Sequence, residues 1–345
     1  MHRICTSLSE AGFDVVLVGR KLETSLPLEK KLYAQKRIRC FFNKGFTFYT
    51  EYNLRLFFFL LTKKMDGICA IDLDTILPCL FVSKLKGRKR IYDAHEYFTE
   101  LKEVRTRPAI KKVWTLVEKF SVPKFEHGYT VSEGLQQEFK NKYGRTYLVI
   151  RNLPVLKSVK LEEKREKFLV YQGAVNEARG FEYLIPAMRL IPYRLIVCGD
   201  GNFMTQLREL IRVNEVADKV ELKGMMLPDD LRQVAQKATF GIALAEKEGI
   251  NQFHALPNKF LEYMHAGLPQ VAMDFPEYKR INEQFKVAVL IDELRPEKIA
   301  KTINQSMADE ILLKELHENA IKARDIYCWQ SEEQILIQFY NSLFS

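Results

Sequence analysis

The chain has 345 residues, 47% of them hydrophobic and 28% charged, with a net charge of +9. That length suits two domains, and the composition is that of an ordinary globular protein, which excludes disordered and collagen-like classes. No run reaches the roughly 18 apolar residues of a membrane span; the nearest, RLFFFLL at 55–61, is too short.

In chain order, the first element is an amphipathic helix with Ile4, Cys5, Leu8 and Ala11 on one side. This opening has neither the apolar core nor the cleavage site of a signal peptide. The runs DVVLVG, RIRCFF, GICAID, RIYDAH, GYTVS and YLVIRN then read as strands. Between them FTFYTEYNLRLFFFLLTKK, TILPCLFVSKLKG, AIKKVWTLVEKF and EGLQQEFKNKYG read as helices, and this alternation predicts a parallel sheet with crossover helices. A doubly wound domain normally opens on its central strand, so the opening helix raises the expectation that a first strand is missing. In RIYDAHEYFTE, Asp93, His95 and Glu96 fall where a strand runs out, the end at which open α/β sheets take ligands. Histidine suits proton transfer or hydrogen bonding near neutral pH, with a structurally satisfied histidine as the alternative.

Charge is divided unevenly. Residues 1–151 hold 28 Lys and Arg against 16 Asp and Glu, the remainder 25 against 28. A basic half carrying KLKGRKR at 84–90 suits an anionic partner such as a nucleic acid, an acidic membrane surface or a phosphorylated substrate, or else a merely solvated face. No nucleic-acid-binding module is recognisable. The six cysteines include no Cys-x-x-Cys and have no histidine at ligand spacing, so neither a zinc site nor a disulfide framework is indicated, and reduced cytoplasmic thiols are expected.

The stretch 152–167, NLPVLKSVKLEEKREK, reads as a linker. Beyond it FLVYQG, RLIVCG, VELKG, FGIALA, LPQVAM and VAVLID read as strands, with three helices from Pro296 onward. The fold class predicted is therefore α/β, with two doubly wound Rossmann-like domains facing a cleft. The domains would span residues 1–155 and 166–327, with a terminal helix at 328–345 that crosses back to the first.

Three stretches of the second half carry candidate chemistry. In YQGAVNEARGFEYLIPAM a strand ends at Gly173 and a helix begins near Gly180 with Arg179 at its mouth, where free amides and a guanidinium could grip phosphate. A plain strand-turn-helix with a surface arginine is the alternative. In LIVCGDGNFM, Gly199 and Gly201 lack the third glycine and the later acidic residue of a dinucleotide fingerprint, so NAD and FAD are not supported. In ALPNKFLEYMHAGLPQVAM, Pro257 opens a helix, Phe260, Leu261 and Met264 form its apolar stripe, and Gly267 ends it. Asn258, Lys259 and Glu262 then sit on a helix expected to be buried and need an external partner or a solvated face, since a carboxylate inside an apolar helix is costly without hydrogen bonds. No Walker loop, Gly-x-Ser-x-Gly or His-Glu-x-x-His is present, which removes most hydrolase and kinase readings.

Taken in order, the basic-Gly pair Arg179 and Gly180, the pair Gly199 and Gly201, VELKG before a helix, and Pro-Asn-Lys-x-x-Glu-Tyr with Gly-Leu-Pro resemble the family 4 glycosyltransferases, two-Rossmann enzymes of GT-B type. The resemblance covers nearly the whole chain and is densest at 168–271. It implies that Arg179 and Lys259 bind the donor diphosphate, with Gly173, Gly199, Gly201 and Asn258 around it, that Glu262 holds the ribose hydroxyls, and that Gly224 and Met225 lie near the base. His95 would line the acceptor side with Asp93 and Glu96, and His95, Arg179 and Lys259 would be the catalytic set. Two positions depart from the family pattern: His254 stands where many members have the first of two glutamates, and Ala174 where many have an arginine.

The resemblance implies a retaining sugar transfer without metal or other cofactor, from a nucleotide-sugar to a saccharide or lipid-linked acceptor, in surface polysaccharide or glycoconjugate synthesis. A cytoplasmic enzyme is expected, and the helix FTFYTEYNLRLFFFLL with its flanking lysines could rest on the cytoplasmic face of an anionic membrane and take a lipid-linked sugar, although such a stripe is more often core. Two other readings stay open: a nucleotide-sugar epimerase, which shares the two-domain shape, and a non-catalytic partner subunit that keeps the fold.

Overall fold

A computed structural model describes residues 1–157, 165–247 and 249–345. The chain separates into two units, residues 1–151 with 330–345, and residues 152–329. Of the charged stretch 152–167, residues 158–164 lie outside the described residues, and Glu166 and Lys167 already belong to a strand.

The first unit opens with α1 (His2–Glu10), which buries Ile4, Cys5 and Leu8. Ala11, expected on the same side, is exposed, because the helix stops at Glu10 and Ala11 forms its C-cap. A parallel pair follows, β1 (Val16–Lys21) and β2 (Ala34–Arg39), and neither strand holds a fully buried residue. Then come α2 (Gly45–Leu61), β3 (Gly67–Ile71), α3 (Ile76–Lys86), β4 (Lys89–Ala94), α4 (Lys102–Arg105), α5 (Pro108–Ser121), β5 (His127–Thr130), α6 (Glu133–Tyr143) and β6 (Leu148–Val149). Strands β3, β4, β5 and β6 form a parallel sheet in that order, each joined to the next through intervening helix, as parallel neighbours require. The aromatics Tyr92, Phe125, Phe139 and Tyr147 fill its core, with ring centroids 5.3 to 6.0 Å apart. Gly128 on β5 is obligatory, since a Cβ there would come within 2.9 Å of the Tyr147 ring and 2.5 Å of the Tyr92 carbonyl.

The second unit comprises β7 (Glu166–Gln172), α7 (Phe181–Ala187), β8 (Arg194–Cys198), α8 (Met204–Val213), β9 (Val220–Gly224), α9 (Pro228–Lys237), β10 (Ala238–Ala243), α10 (Gly249–Phe253), α11 (Asn258–His265), β11 (Gln270–Met273), α12 (Pro276–Gln284), β12 (Ala288–Ile291), α13 (Pro296–Ala308) and α14 (Glu310–Ile326). Its strands run parallel in the order β12-β11-β10-β7-β8-β9. That is the doubly wound order, with winding reversed between β7 and β10. Both faces of such a sheet are covered, which is why its strands read as nearly continuous apolar runs. Residues such as Val170, Phe181, Leu195, Phe240 and Phe260 are fully enclosed.

The last helix, α15 (Trp329–Phe344), contributes residues 330–345 to the first unit. Phe339 and Tyr340 pack on Tyr129, and the Phe344 ring lies where a Cβ on Gly67 would be only 2.3 Å away. Glu332 accepts from the Arg151 amide and guanidinium, both at 3.0 Å. Among the described residues, no helix is long and apolar enough to cross a membrane.

Candidate functional site

In an open α/β sheet the loops leaving two neighbouring strands part where the winding reverses, and ligands enter there. In the second unit those are the loops after β7 and β10. The amide of Glu246 donates to the Ala178 carbonyl, as does the Gln252 side chain, both at 3.0 Å, so the second loop is tied onto the first. Ala178 adopts φ 61° and Gly180 φ 77°, a left-handed pair that swings the chain into α7 and leaves Arg179 half-buried between them.

The position of α11 follows from Tyr263. Its hydroxyl accepts from the Gln172 amide at 2.9 Å and donates to the Val170 carbonyl at 3.0 Å, joining the helix to β7. Its ring lies on Gly241 of β10, where a Cβ would come within 2.7 Å of it. Residues four apart share a helix face, so pinning Tyr263 aims Lys259 at the end of β7. The Lys259 ammonium lies 3.6 Å from the centroid of the buried Tyr171 ring, with its Cε 4.0 Å from where a Cβ on Gly173 would stand. It is buried and makes no hydrogen bond among the described residues. Burial, and then the positive charge of Arg179, push its pKa well below that of an ordinary lysine, against the opposing pull of Glu262. Arg179 itself makes no ion pair or side-chain hydrogen bond among the described residues. Two cations thus act on one another at the carboxyl edge of the sheet, and one of them has only a ring face beneath it.

The remaining residues of this group are placed as follows. Glu262 is exposed, not buried within the helix, because Phe260, Leu261, Tyr263 and Met264 take the inward positions and leave it on the open side. Its carboxylate accepts from the Gln172 side chain. Both line a cavity of about 280 Å³ with residues 154–157, α9 and Arg324, a cavity that Lys259 and Arg179 do not line. Asn258 is exposed and accepts from the Asn152 amide group at 3.1 Å. Gly224 ends β9 at φ 67° and Met225 beyond it is exposed. His254 follows α10, its ring edge-on to Phe253 at 5.1 Å.

Gly199 and Gly201 have a packing role. The Gly173 amide donates to the Cys198 carbonyl at 2.9 Å, Val175 to Asp200 at 3.0 Å, and Phe203 back to Val175 at 3.0 Å, so the loops after β7 and β8 are laced together by backbone. At Gly199, with φ 154°, a Cβ would overlap the Gly173 carbonyl oxygen at 1.8 Å; at Gly201 it would meet the Val175 carbonyl at 2.3 Å.

In the first unit, Asp93 is wholly buried, so it faces no open acceptor side: its carboxylate accepts from Tyr129 at 3.0 Å and sits 3.1 Å from His95 Nε2. That burial comes from β5, a neighbour distant in sequence. Glu96 is exposed. Asp72, at φ 53°, accepts from the amides of His95 at 2.8 Å and Glu96 at 3.3 Å, fixing the turn after β4. Sequence reading missed Asp72, Gln172 and Tyr171; the only signal for Gln172 was a lone amide closing an apolar strand. Burial raises the Asp72 pKa to about 7, with His95 opposing and Asp93 assisting. Burial disfavours the His95 imidazolium, yet the hydrogen bond and charge of Asp93, with the charge of Asp72, hold its pKa above the ordinary value.

Both groups hold protons more tightly folded than unfolded, so their stabilisation is complete below their unfolded pKa values and is lost as pH rises through the folded ones. The expected result is a melting temperature of the first unit that falls between pH 5 and pH 8. In Asp72→Asn this slope is largely gone; an unchanged slope by thermal denaturation refutes the assignment.

Among the described residues no group of three or more His, Cys, Asp and Glu side chains is arranged to hold a metal ion. The family model of the glycosyl transferases group 1 matches residues 155–323. Over 174 residues the chain is 25% identical to the chitobiosyldiphosphodolichol beta-mannosyltransferase of Candida albicans, a match of 47% of this chain and 37% of that protein. The chain thus covers well under half the length of this curated relative. Among solved structures, it resembles a sucrose-phosphate synthase from Thermosynechococcus elongatus with a TM-score of 0.80 at 15% identity, over 99% of this chain and 92% of that one. It also resembles Anabaena HepE in complex with UDP and glucose, with a TM-score of 0.72 at 15% identity, over 91% and 87% of the two chains.

Proposed function

We propose that this chain, whose residues 155–323 match the family model of the group 1 glycosyl transferases, moves a sugar from a nucleotide-sugar to a saccharide or lipid-linked acceptor, with retention of anomeric configuration. The observation that carries the reading is the buried Lys259 ammonium, which lacks a hydrogen-bonding partner among the described residues and stands within the field of Arg179. A buried cation is costly unless an anion arrives, and the diphosphate of a donor is an anion of the right size at the right sheet edge. Glycosyl transfer places negative charge on the departing diphosphate, and cations already in position stabilise it without reorganising.

In this reading residues 166–327 hold the donor and residues 1–155 the acceptor side. The exposed Glu262 carboxylate, steadied by Gln172, accepts from the ribose hydroxyls, and Gly224 and Met225 flank the base. Asn258 and the Gly173 backbone line the phosphates. Gly199 and Gly201 serve by holding the loop that contains Gly173. His95, oriented by Asp93 and by its amide bond to Asp72, hydrogen-bonds the transferred sugar. The basic first half rests against an anionic membrane from the cytoplasmic side.

A thermal-shift screen of nucleoside diphosphates and their sugars tests the reading, with UDP and UDP-glucose first because HepE holds UDP and glucose. A ligand at a hundred times its dissociation constant stabilises by ~2.7 kcal/mol, a visible shift. No response to any nucleotide would sink the proposal; a response without turnover on any acceptor would leave a binding subunit instead.

A further inference from the structure

Helix α2 is apolar around most of its circumference. Tyr52, Leu56 and Leu60 enter the core, while Phe46, Leu54 and Phe58 remain exposed. Helices α3 and α5 continue the same surface with Phe81, Leu85, Ile110 and Val113. Between the three helices runs a groove of about 1380 Å³, walled by Phe57, Leu77, Pro78, Trp114 and Val117, with the buried Leu73 and Val104 as its floor. This exceeds the ~300–1,000 Å³ of ordinary small-molecule pockets, and monomeric proteins seldom leave so large an apolar surface open without using it.

Two polar side chains of the wall are bonded internally to backbone. Thr50 donates to the Phe46 carbonyl at 3.0 Å, and Asn53 donates to the Tyr49 and Asp74 carbonyls at 2.9 Å. The charged residues of the lining are Lys84, Arg107 and Glu103, and neither cation forms an ion pair among the described residues. With Lys86, Arg88, Lys111 and Lys112 nearby in sequence, the surroundings are basic. An apolar trough with available cations complements an amphiphile that has a hydrocarbon chain and an anionic head.

We propose that this groove takes the hydrocarbon chain of a lipid-phosphate acceptor, with Lys84 and Arg107 facing its phosphate. The identification as acceptor rests on the glycosyl-transfer reading; the chain-binding site does not.

Trp114 lies in the wall and is one of only two tryptophans, so it reports on occupancy. Titrating the full chain with farnesyl phosphate below its micelle concentration is expected to shift and intensify Trp114 emission saturably, and inorganic phosphate to leave it unchanged. Val113→Glu and Leu85→Glu, both at exposed positions, place a charge beside the chain and should weaken binding about tenfold or more. Both variants should keep the thermal shift given by the nucleoside diphosphate, which shows that they are folded and separates this test from that of the donor site. Three results would overturn the proposal. The first is an unresponsive Trp114. The second is a response only to phosphatidylglycerol vesicles, which marks adsorption to a bilayer. The third is a dimer in light scattering that Val113→Glu dissociates, which marks the groove as an interface between copies.

Discussion

Replacing Lys259 with methionine is expected to cut turnover by about 10²- to 10³-fold, the ~2.7–4 kcal/mol typical of losing one preorganised charge donor, while making the ligand-free protein harder to melt. The two effects have one cause. The ammonium is buried over Tyr171 without a hydrogen-bonding partner among the described residues, so it destabilises the empty protein and becomes favourable only beside an anion. The sign of the pH dependence follows. The folded pKa lies below the unfolded one, so between those values the unfolded chain holds more protons and stability rises with pH. Lys259→Met should flatten that rise. A diphosphate beside Lys259 raises its pKa again, so at a pH between the free and bound values nucleotide binding should take up more protons in the wild type than in Lys259→Met, as read by calorimetry in buffers of different ionisation enthalpy. Arg179→Ala should lose turnover to a similar degree with little change in melting, because the Arg179 guanidinium makes no ion pair or side-chain hydrogen bond to lose among the described residues. Turnover within a few-fold of wild type in both variants would remove them from the mechanism.

The second large effect is expected at Gly199. Alanine there would put its Cβ 1.8 Å from the Gly173 carbonyl oxygen at a backbone φ of 154°, so the two loops must part and the ladder between residues 173–176 and 198–203 must break. Overpacking of this kind costs at least ~1–3 kcal/mol, which lowers the melting temperature of a domain this size by several degrees. Nucleotide binding should be lost as well, because the same loop carries Gly173 past Lys259. Gly224→Ala is the control. Its φ is also positive at 67°, but no atom lies within 4 Å of the added Cβ, so only the left-handed strain of ~1–2 kcal/mol applies. Equal losses in the two variants by thermal denaturation would contradict the packing argument.

These residues also mark what could be read from the sequence. The strands of the six-stranded sheet were legible because a sheet with both faces covered leaves short apolar runs between turn residues, and the helix at Asn258–His265 because proline and glycine punctuate it. Three things were not legible, each because it depends on a neighbour distant in the chain. Asp93 looked like a group for an open site, yet Tyr129 of β5 encloses it. Glu262 looked buried; the inward position belongs to Tyr263, whose seat on Gly241 and β7 no local pattern records. Gly199 and Gly201 looked like contacts for a ligand, and their small size is consumed by the loop at 173–176. Lys259 was singled out for its place on the helix, but its burial over Tyr171, the fact that gives it chemical meaning, appears only when β7 and α11 meet.

The most direct measurement is a crystal structure with the nucleoside diphosphate that stabilises the protein most. The account predicts phosphate oxygens at roughly 3 Å, hydrogen-bond range, from both Lys259 Nζ and the Arg179 guanidinium. A nucleotide bound with its diphosphate elsewhere, and Lys259 Nζ still facing only Tyr171, would contradict it.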